Sequence, residues 1–184
     1  MRDAIDAWDR ALLLRLHLAG HEPWDTLMYY ATKTWVWLPL FLWWGYLLYR
    51  KYGRAAVRWS VFTLLAVGLT DFVCGRVLKP LVERRRPSHE EALRPALHLV
   101  RGYAGGTYGF PSNHAANSAA IAFSVAIAFR QRFITYIAGG WALLHSYTRL
   151  YLGVHYPTDV FAGWLIGIIL TGGLYLLAKW RKAL

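Results

Sequence analysis

Long apolar runs that alternate with short basic links constrain this chain more than any other feature. Residues 34–49, 59–78, 113–129, 133–148 and 160–178 each approach the roughly 20 mostly apolar residues that cross a hydrocarbon core. Between or after them stand "RKYGRAAVR" (50–58), "RQR" (130–132) and "KWRK" (179–182). In lipid every backbone polar group must find its partner within the segment, which leaves helices as the spanning form for such runs. The sequence therefore predicts an all-α polytopic membrane bundle of five transmembrane helices, a single domain over residues 1–184. The first run carries Trp35, Trp37, Trp43, Trp44, Tyr46 and Tyr49, rings that favour the membrane interface.

Charge supports the same class. Lys and Arg number 21 against 10 Asp and Glu, a formal net charge of +11, which in a soluble domain would point to nucleic acid. Here the cations sit between apolar runs, so the expected partner is the membrane, not a nucleic acid. The three basic links fall on one side of the bundle, and excess Lys and Arg mark the cytoplasmic side. Residues 79–110 and 149–159 then face away from the cytoplasm. The first 25 residues place acids among the first ten, and Arg15 and His17 break "ALLL", a pattern unlike a cleavable signal. Residues 1–30 read as an interfacial region in which a helix within residues 3–19 puts Ile5, Trp8, Leu12 and Leu16 on one stripe. The lone Cys74 excludes an internal disulfide.

The polar residues on the outward side form three groups at one depth. Lys79 and "RRRP" (84–87) close the second run, "PSNH" (111–114) opens the third, and "TRLYLGVHYPTD" (148–159) joins the fourth to the fifth. Lys79, Arg86 and Arg149 are cations, and Pro111 with Ser112 makes a natural helix start whose first N–H groups are free. Together with His114 and His155 this set suits a phosphate dianion and its transfer. His155 and Asp159 are four apart, so the carboxylate accepts a hydrogen bond from one ring nitrogen and leaves the other as nucleophile. His114 then serves as acid. Ala115, Ala116, Ser118, Ala119 and Ala120 allow close packing of the helix behind them.

These residues carry a resemblance. "KPLVERRRP", "PSNH" and "TRLYLGVHYPTD" are similar to the three ordered motifs of the type 2 phosphatidic acid phosphatase superfamily, K-x6-RP, PSGH and SR-x5-H-x3-D. Every internal spacing is kept over residues 79–159; Asn113 replaces the usual Gly and Thr148 the usual Ser. The resemblance implies a lipid phosphatase with no metal or other cofactor. His155 would form a phosphohistidine, Asp159 would orient it, and His114 would protonate the leaving oxygen and then activate water. Lys79, Arg86, Arg149, the Ser112 hydroxyl and the backbone N–H groups near Asn113 would hold the phosphoryl oxygens. The expected location is a bacterial inner membrane with the site on the periplasmic side. Undecaprenyl diphosphate is the leading substrate, with phosphatidylglycerol phosphate, phosphatidate and lipid A as alternatives, and a lipid phosphotransferase using the same intermediate as another. A transporter or lipid-binding role and vanadate-dependent oxidation fit less well: the halves show no repeat, and haloperoxidases have larger soluble bodies.

Other polar residues read as structural. Arg84 and Arg85 suit a basic interfacial patch, His145 a buried structural histidine, and Asp71 a partner of Arg76 or of the site. His17, His21, His89 and His98 have no metal-ligand spacing.

Overall fold

A computed structural model of the chain describes residues 2–181, so Lys182 of the basic tail and the side chain of Asp3 lie outside the described residues. Its elements are α1 (Arg2–Leu16), α2 (Trp24–Ala31), α3 (Leu38–Tyr52), α4 (Ala56–Phe72), a short α5 (Lys79–Val82), α6 (Asn113–Phe129), α7 (Arg132–Tyr151) and α8 (Pro157–Trp180). No strand forms among the described residues, and the one isolated β-bridge joins Arg85 to Tyr108. The fold is all-helical, as the apolar runs require. Two helical stretches are long and apolar enough to cross a membrane: Thr34–Val82, with mean hydropathy 1.8, and Pro157–Trp180, with mean hydropathy 2.0. The first is bent at Gly53, whose φ of +57° suits glycine, and resumes in α4.

Two small residues set how the helices meet. A Cβ on Gly163 would stand 2.6 Å from the Ser112 carbonyl oxygen, and one on Gly167 would stand 2.3 Å from that of Ala116. α8 and α6 therefore touch backbone to backbone at a G-x-x-x-G step, and the alanines of α6 supply the complementary face. At the far end, Trp44 and Leu48 of α3, Val125 and Phe129 of α6, and Ala138 and Trp141 of α7 form the main apolar core. Lys51 Nζ donates to the carbonyl oxygens of Ala128 and Phe129 there, and Arg130 donates to the Tyr175 hydroxyl. The links around residues 51–55 and 128–132 and the end of α8 thus share one end of the bundle, opposite Ser112 and Asp159.

Two features differ from the sequence expectation. α1 exposes Ile5 and Trp8, whereas it turns the fully buried Asp9 and Leu13 toward the bundle. The buried face is thus partly ionic, because Asp9 finds a cation inside. α2 has no counterpart in the apolar pattern; "WDTLMYYA" is too short for periodicity to reveal. It is anchored by Asp25, which accepts from the Gly20 N–H at 3.0 Å and the Tyr151 hydroxyl at 2.8 Å.

Candidate active site

The second apolar run does not end as a plain α-helix. Residues Val73–Leu78 form one wider, π-type turn, a distortion that recurs at functional sites, and Lys79 follows it directly. Lys79 Nζ donates to the Pro111 carbonyl oxygen at 3.0 Å and to the side-chain oxygen of Asn113. The Asn113 amide nitrogen donates to Asp71 Oδ1 at 2.8 Å. This orientation of the amide is forced, since an ammonium only donates and a carboxylate only accepts. Asp71 also accepts from Asn117 at 3.0 Å. Its partners are these two amides, not Arg76.

Ser112 caps α6, its Oγ facing the Ala115 N–H at 3.5 Å, and its own N–H donates to the Asp159 carbonyl oxygen at 3.0 Å. The starts of α6 and α8 are thereby tied, which brings PSNH beside His155. The Ser112 hydroxyl proton is not consumed by the cap. The first-turn N–H groups of α6, at Asn113 and His114, have no intrahelical acceptor by the geometry of a helix start.

His155 is buried, in the connection between α7 and α8, at 1% exposure. Its Nε2 stands 2.8 Å from Arg86 Nη1, and its Nδ1 stands 3.4 Å from Asp159 Oδ2. Nδ1 has no formed hydrogen bond at that distance, a looseness common in sites without substrate. The tautomer with the proton on Nδ1 satisfies both neighbours: it points N–H at the carboxylate and offers the Nε2 lone pair to the guanidinium. Burial first, then the charges of Arg86, Arg149 and Lys79, hold the His155 pKa well below its ordinary 6.5. The ring is therefore a neutral base whose Nε2 lone pair rests on Arg86 and becomes available for attack once that guanidinium turns to an anion.

The cations crowd one another. Arg86 is pushed down to about 10, by burial and then by Arg149, a repulsion that an anion between them relieves. Its guanidinium also donates to the carbonyl oxygens of Tyr108 and Val154. Arg149 is 1% exposed; it donates to the Thr32 hydroxyl and, at 3.1 Å, to the Tyr103 hydroxyl. Its Nε has no partner. A cleft of about 400 Å³ lies between Lys79 and Arg86, walled by Thr107 and Tyr108. Thr148, at the usual Ser position, is fully buried and donates to the His145 carbonyl oxygen at 2.7 Å, a bond either hydroxyl makes. His114 is half-buried, stacked on His145 with ring centroids 5.4 Å apart, and within electrostatic reach of His155, Arg86 and Arg149.

All eight expected residues thus gather at one end of the bundle. Four others belong with them. Arg84 is not surface patch: its Nη1 donates to Asp159 Oδ1 at 2.9 Å and its Nη2 to Asp9 Oδ2 at 2.7 Å. Only Arg85 of the triplet is exposed. Burial opposes the charge of Arg84, but Asp159 and Asp9 raise its pKa. Gly109 packs against the pair behind it, since a Cβ there would lie 3.0 Å from Asp159 Oδ2 and 3.6 Å from His155 Nδ1. Thr32 and Tyr103 clamp Arg149. Their sequence surroundings carry no motif, apart from the glycines of "YAGGTYGF" that let the loop approach the ring.

A helical bundle with a buried imidazole, a carboxylate behind it and cations before it has the site of a phosphatase. Comparison with known proteins agrees: residues 57–183 match the family described as the PAP2 superfamily. The chain is 39% identical over 150 residues to a lipid A 4'-phosphatase of Bacteroides thetaiotaomicron, covering 80% of this chain and 67% of the relative. It is 32% identical to a lipid A 4'-phosphatase of Porphyromonas gingivalis, covering 91% and 71%. The undecaprenyl-diphosphatase BcrC of Bacillus subtilis is 38% identical but over only 33% of this chain and 31% of its own. Among solved structures, the PAP2-type phosphatidylglycerolphosphate phosphatase of Bacillus subtilis superimposes with a TM-score of 0.70 at 25% identity, over 96% of this chain and 87% of that one. The Aquifex aeolicus LpxE structure follows with a TM-score of 0.63, 25% identity and coverage of 90% and 93%. The chain belongs to the PAP2 superfamily.

Proposed function

We propose that this chain removes a phosphate monoester from a phosphorylated glycolipid of the lipid A kind. The observation that carries the chemistry is the His155 ring, with Nδ1 facing Asp159 at 3.4 Å and Nε2 facing Arg86 at 2.8 Å. The lipid A 4'-phosphatase relatives support the substrate. Undecaprenyl diphosphate, the first expectation from sequence, has support from weaker matches, 31% identity over 131 residues and 38% over 61, so a glycolipid takes its place.

In the proposed cycle, His155 Nε2 attacks phosphorus and the bond to the leaving oxygen breaks. His114 gives its proton to that oxygen, and Asp159 accepts the Nδ1–H of the charged phosphohistidine. Arg86 leaves Nε2 for the phosphoryl oxygens, which Arg149, Lys79, the Ser112 hydroxyl and the first N–H groups of α6 also hold. His114 then takes a proton from water, the water oxygen attacks phosphorus, and the Nε2–P bond breaks to release phosphate. No step needs a metal.

For topology we propose one domain crossing a bacterial inner membrane five times, by α3, α4, α6, α7 and α8. The basic links would lie at the cytoplasmic face and the site at the periplasmic face. A C-terminal reporter found outside the cytoplasm would overturn the orientation.

The test of function is phosphate release by the detergent-purified protein in EDTA. Lipid A, phosphatidylglycerol phosphate, phosphatidate and undecaprenyl diphosphate would be compared. Lipid A should be preferred, and His155→Ala should lower turnover by about a thousandfold or more. Release that survives His155→Ala would refute the nucleophile, and preference for the diphosphate would refute the substrate.

A further inference from the structure

A cavity of about 320 Å³, lined by His114 but not by His155, opens between α3, α4, α6 and α7. It runs along α6 past Asn117 to Ile121, seven residues or about 10 Å from His114 at 1.5 Å per residue. Its walls are of two kinds. Trp37, Phe41 and Trp141 form an aromatic corner, with Phe41 and Trp141 edge to face at 5.4 Å and Trp37 and Trp141 at 6.1 Å. Trp141 then stacks on His145 at 5.5 Å and 18°, and His145 stacks on His114.

Four polar atoms on these walls lack partners. Both ring nitrogens of His145, Nε1 of Trp141 and Oδ1 of Asn117 are buried without a hydrogen bond. His145 and Trp141 are only 7% and 6% exposed. Asp71, also on the wall, takes both its amide donors on Oδ1, which leaves Oδ2 to accept from a guest. Buried donors and acceptors such as those of His145, Trp141 and Asn117 are costly unless satisfied. Flat aromatic faces beside unpaired donors and acceptors are the chemistry that takes a ring bearing hydroxyl groups.

We propose that this cavity is the leaving-group subsite and that it is built for a sugar ring. Asp71 and Asn117 read the ring's hydroxyl and amide groups, and Trp37 and Trp141 line its faces. The assignment rests on the glycolipid reading above and on the place of His114, which lies between this cavity and the phosphoryl-binding cations. A sugar whose phosphate oxygen meets His114 would extend along α6, with its acyl chains continuing into lipid. The same carboxylate works against a diphosphate. There the leaving group is itself a phosphate, and Asp71 would face it as a like charge, while Lys79, held from Asp71 by the Asn113 amide, is engaged by the transferring phosphoryl group. Asp71 is thus a specificity residue that favours a neutral, hydroxyl-bearing leaving group.

The experiment measures kcat and KM for 4'-phosphorylated lipid A and for undecaprenyl diphosphate in mixed micelles. Wild type, Asp71→Asn and Asn117→Leu would be compared. The ratio of kcat/KM for the sugar lipid over the diphosphate should fall by about tenfold or more in Asp71→Asn, through both a weaker sugar reaction and a faster diphosphate one. Asn117→Leu should raise KM for the sugar lipid alone. Dephosphorylated lipid A should inhibit wild type competitively and each variant more weakly, a readout that needs no turnover and so covers a variant of reduced activity. If wild type turns over the sugar lipid but both variants keep the ratio, KM and product inhibition, the subsite is refuted and the function stands. If wild type ignores the sugar lipid and takes the diphosphate, the glycolipid reading itself is refuted.

Discussion

Asp9→Asn tests whether the N-terminal helix supports the site from 150 residues away in sequence. Asp9 is fully buried; its Oδ1 accepts from the Thr158 N–H at 3.0 Å and its Oδ2 from Arg84 at 2.7 Å and from the Thr158 hydroxyl. Asn has the same shape and keeps the first bond, but its amide N–H groups meet two donors where the carboxylate met them as an acceptor. A hydrogen bond to a charged group contributes about 1.5–3 kcal/mol. Arg84 retains Asp159 at 2.9 Å and the half-exposed Asp6 at 3.1 Å, so the lower half applies, about 2 kcal/mol. For a chain of this size that lowers the unfolding midpoint by about 4–8 °C. Arg84 freed on one arm no longer fixes Asp159, and kcat should fall about tenfold while KM changes less than about twofold. The assay is thermal unfolding in detergent, with kcat and KM for the best lipid substrate. Asp6→Asn is the control, because a partner this exposed contributes at most about 1 kcal/mol. Wild-type melting and turnover in Asp9→Asn would refute the idea that α1 holds the site.

Gly109→Ala places a methyl 3.0 Å from Asp159 Oδ2 and 3.2 Å from Arg86 Cγ; kcat/KM should fall about a hundredfold, and near-wild-type kinetics would show that the loop yields. Burial and Arg149 lower the Arg86 pKa to about 10, so it loses charge as pH rises through that value and kcat/KM should fall above about pH 9.5; a kcat/KM flat to about pH 10.5 would contradict its phosphoryl role. A Cβ on Gly75 would stand 3.0 Å from the Asn113 amide nitrogen, so Gly75→Ala should impair activity in this chain and much less in an Asn113→Gly background. A double-mutant cycle should give a coupling of about 0.5–3 kcal/mol, and additive effects would refute the contact.

The all-helical fold and the clustering of the eight proposed residues at one end were legible because their signals are local. Apolar runs of bilayer length, a Pro-Ser helix start, and His155 four residues before Asp159 are patterns within one segment. α6 starts at Asn113 and ends at Phe129, as its run predicts. What was not legible depends on pairs far apart in the chain. Nothing near Arg84 says that its partners are Asp9 and Asp159, so a basic triplet before a membrane helix reads as an interfacial patch. The stripe of α1 gave the face that is exposed, since lipid-facing and core-facing apolar residues look alike in sequence. The G-x-x-x-G of α8 was available as a signal, and its meaning appears where Gly167 meets the Ala116 carbonyl. The π-type turn at 73–78 left no periodic trace, because one extra residue in a turn shifts the apolar stripe by less than the scatter of a short run.

Asn113 shows how a departure from the family pattern acquires a role. In the sequence, Asn at the usual Gly position and Asp71 inside an apolar run are separate oddities. In the structure they are one arrangement. A planar amide has an acceptor at one end and donors at the other, and here Lys79 stands at the first and Asp71 at the second. Glycine at position 75 leaves the space the amide occupies, and the wide turn that contains it precedes Lys79. The cation of the phosphoryl side and the carboxylate of the proposed sugar side thus belong to one hydrogen-bonded chain. A phosphate that draws Lys79 toward itself weakens its hold on the amide oxygen. The amide nitrogen then competes less well with a guest hydroxyl for Asp71. Under the proposed reading, binding at the two sides would be coupled through a single side chain, which a glycine at 113 lacks.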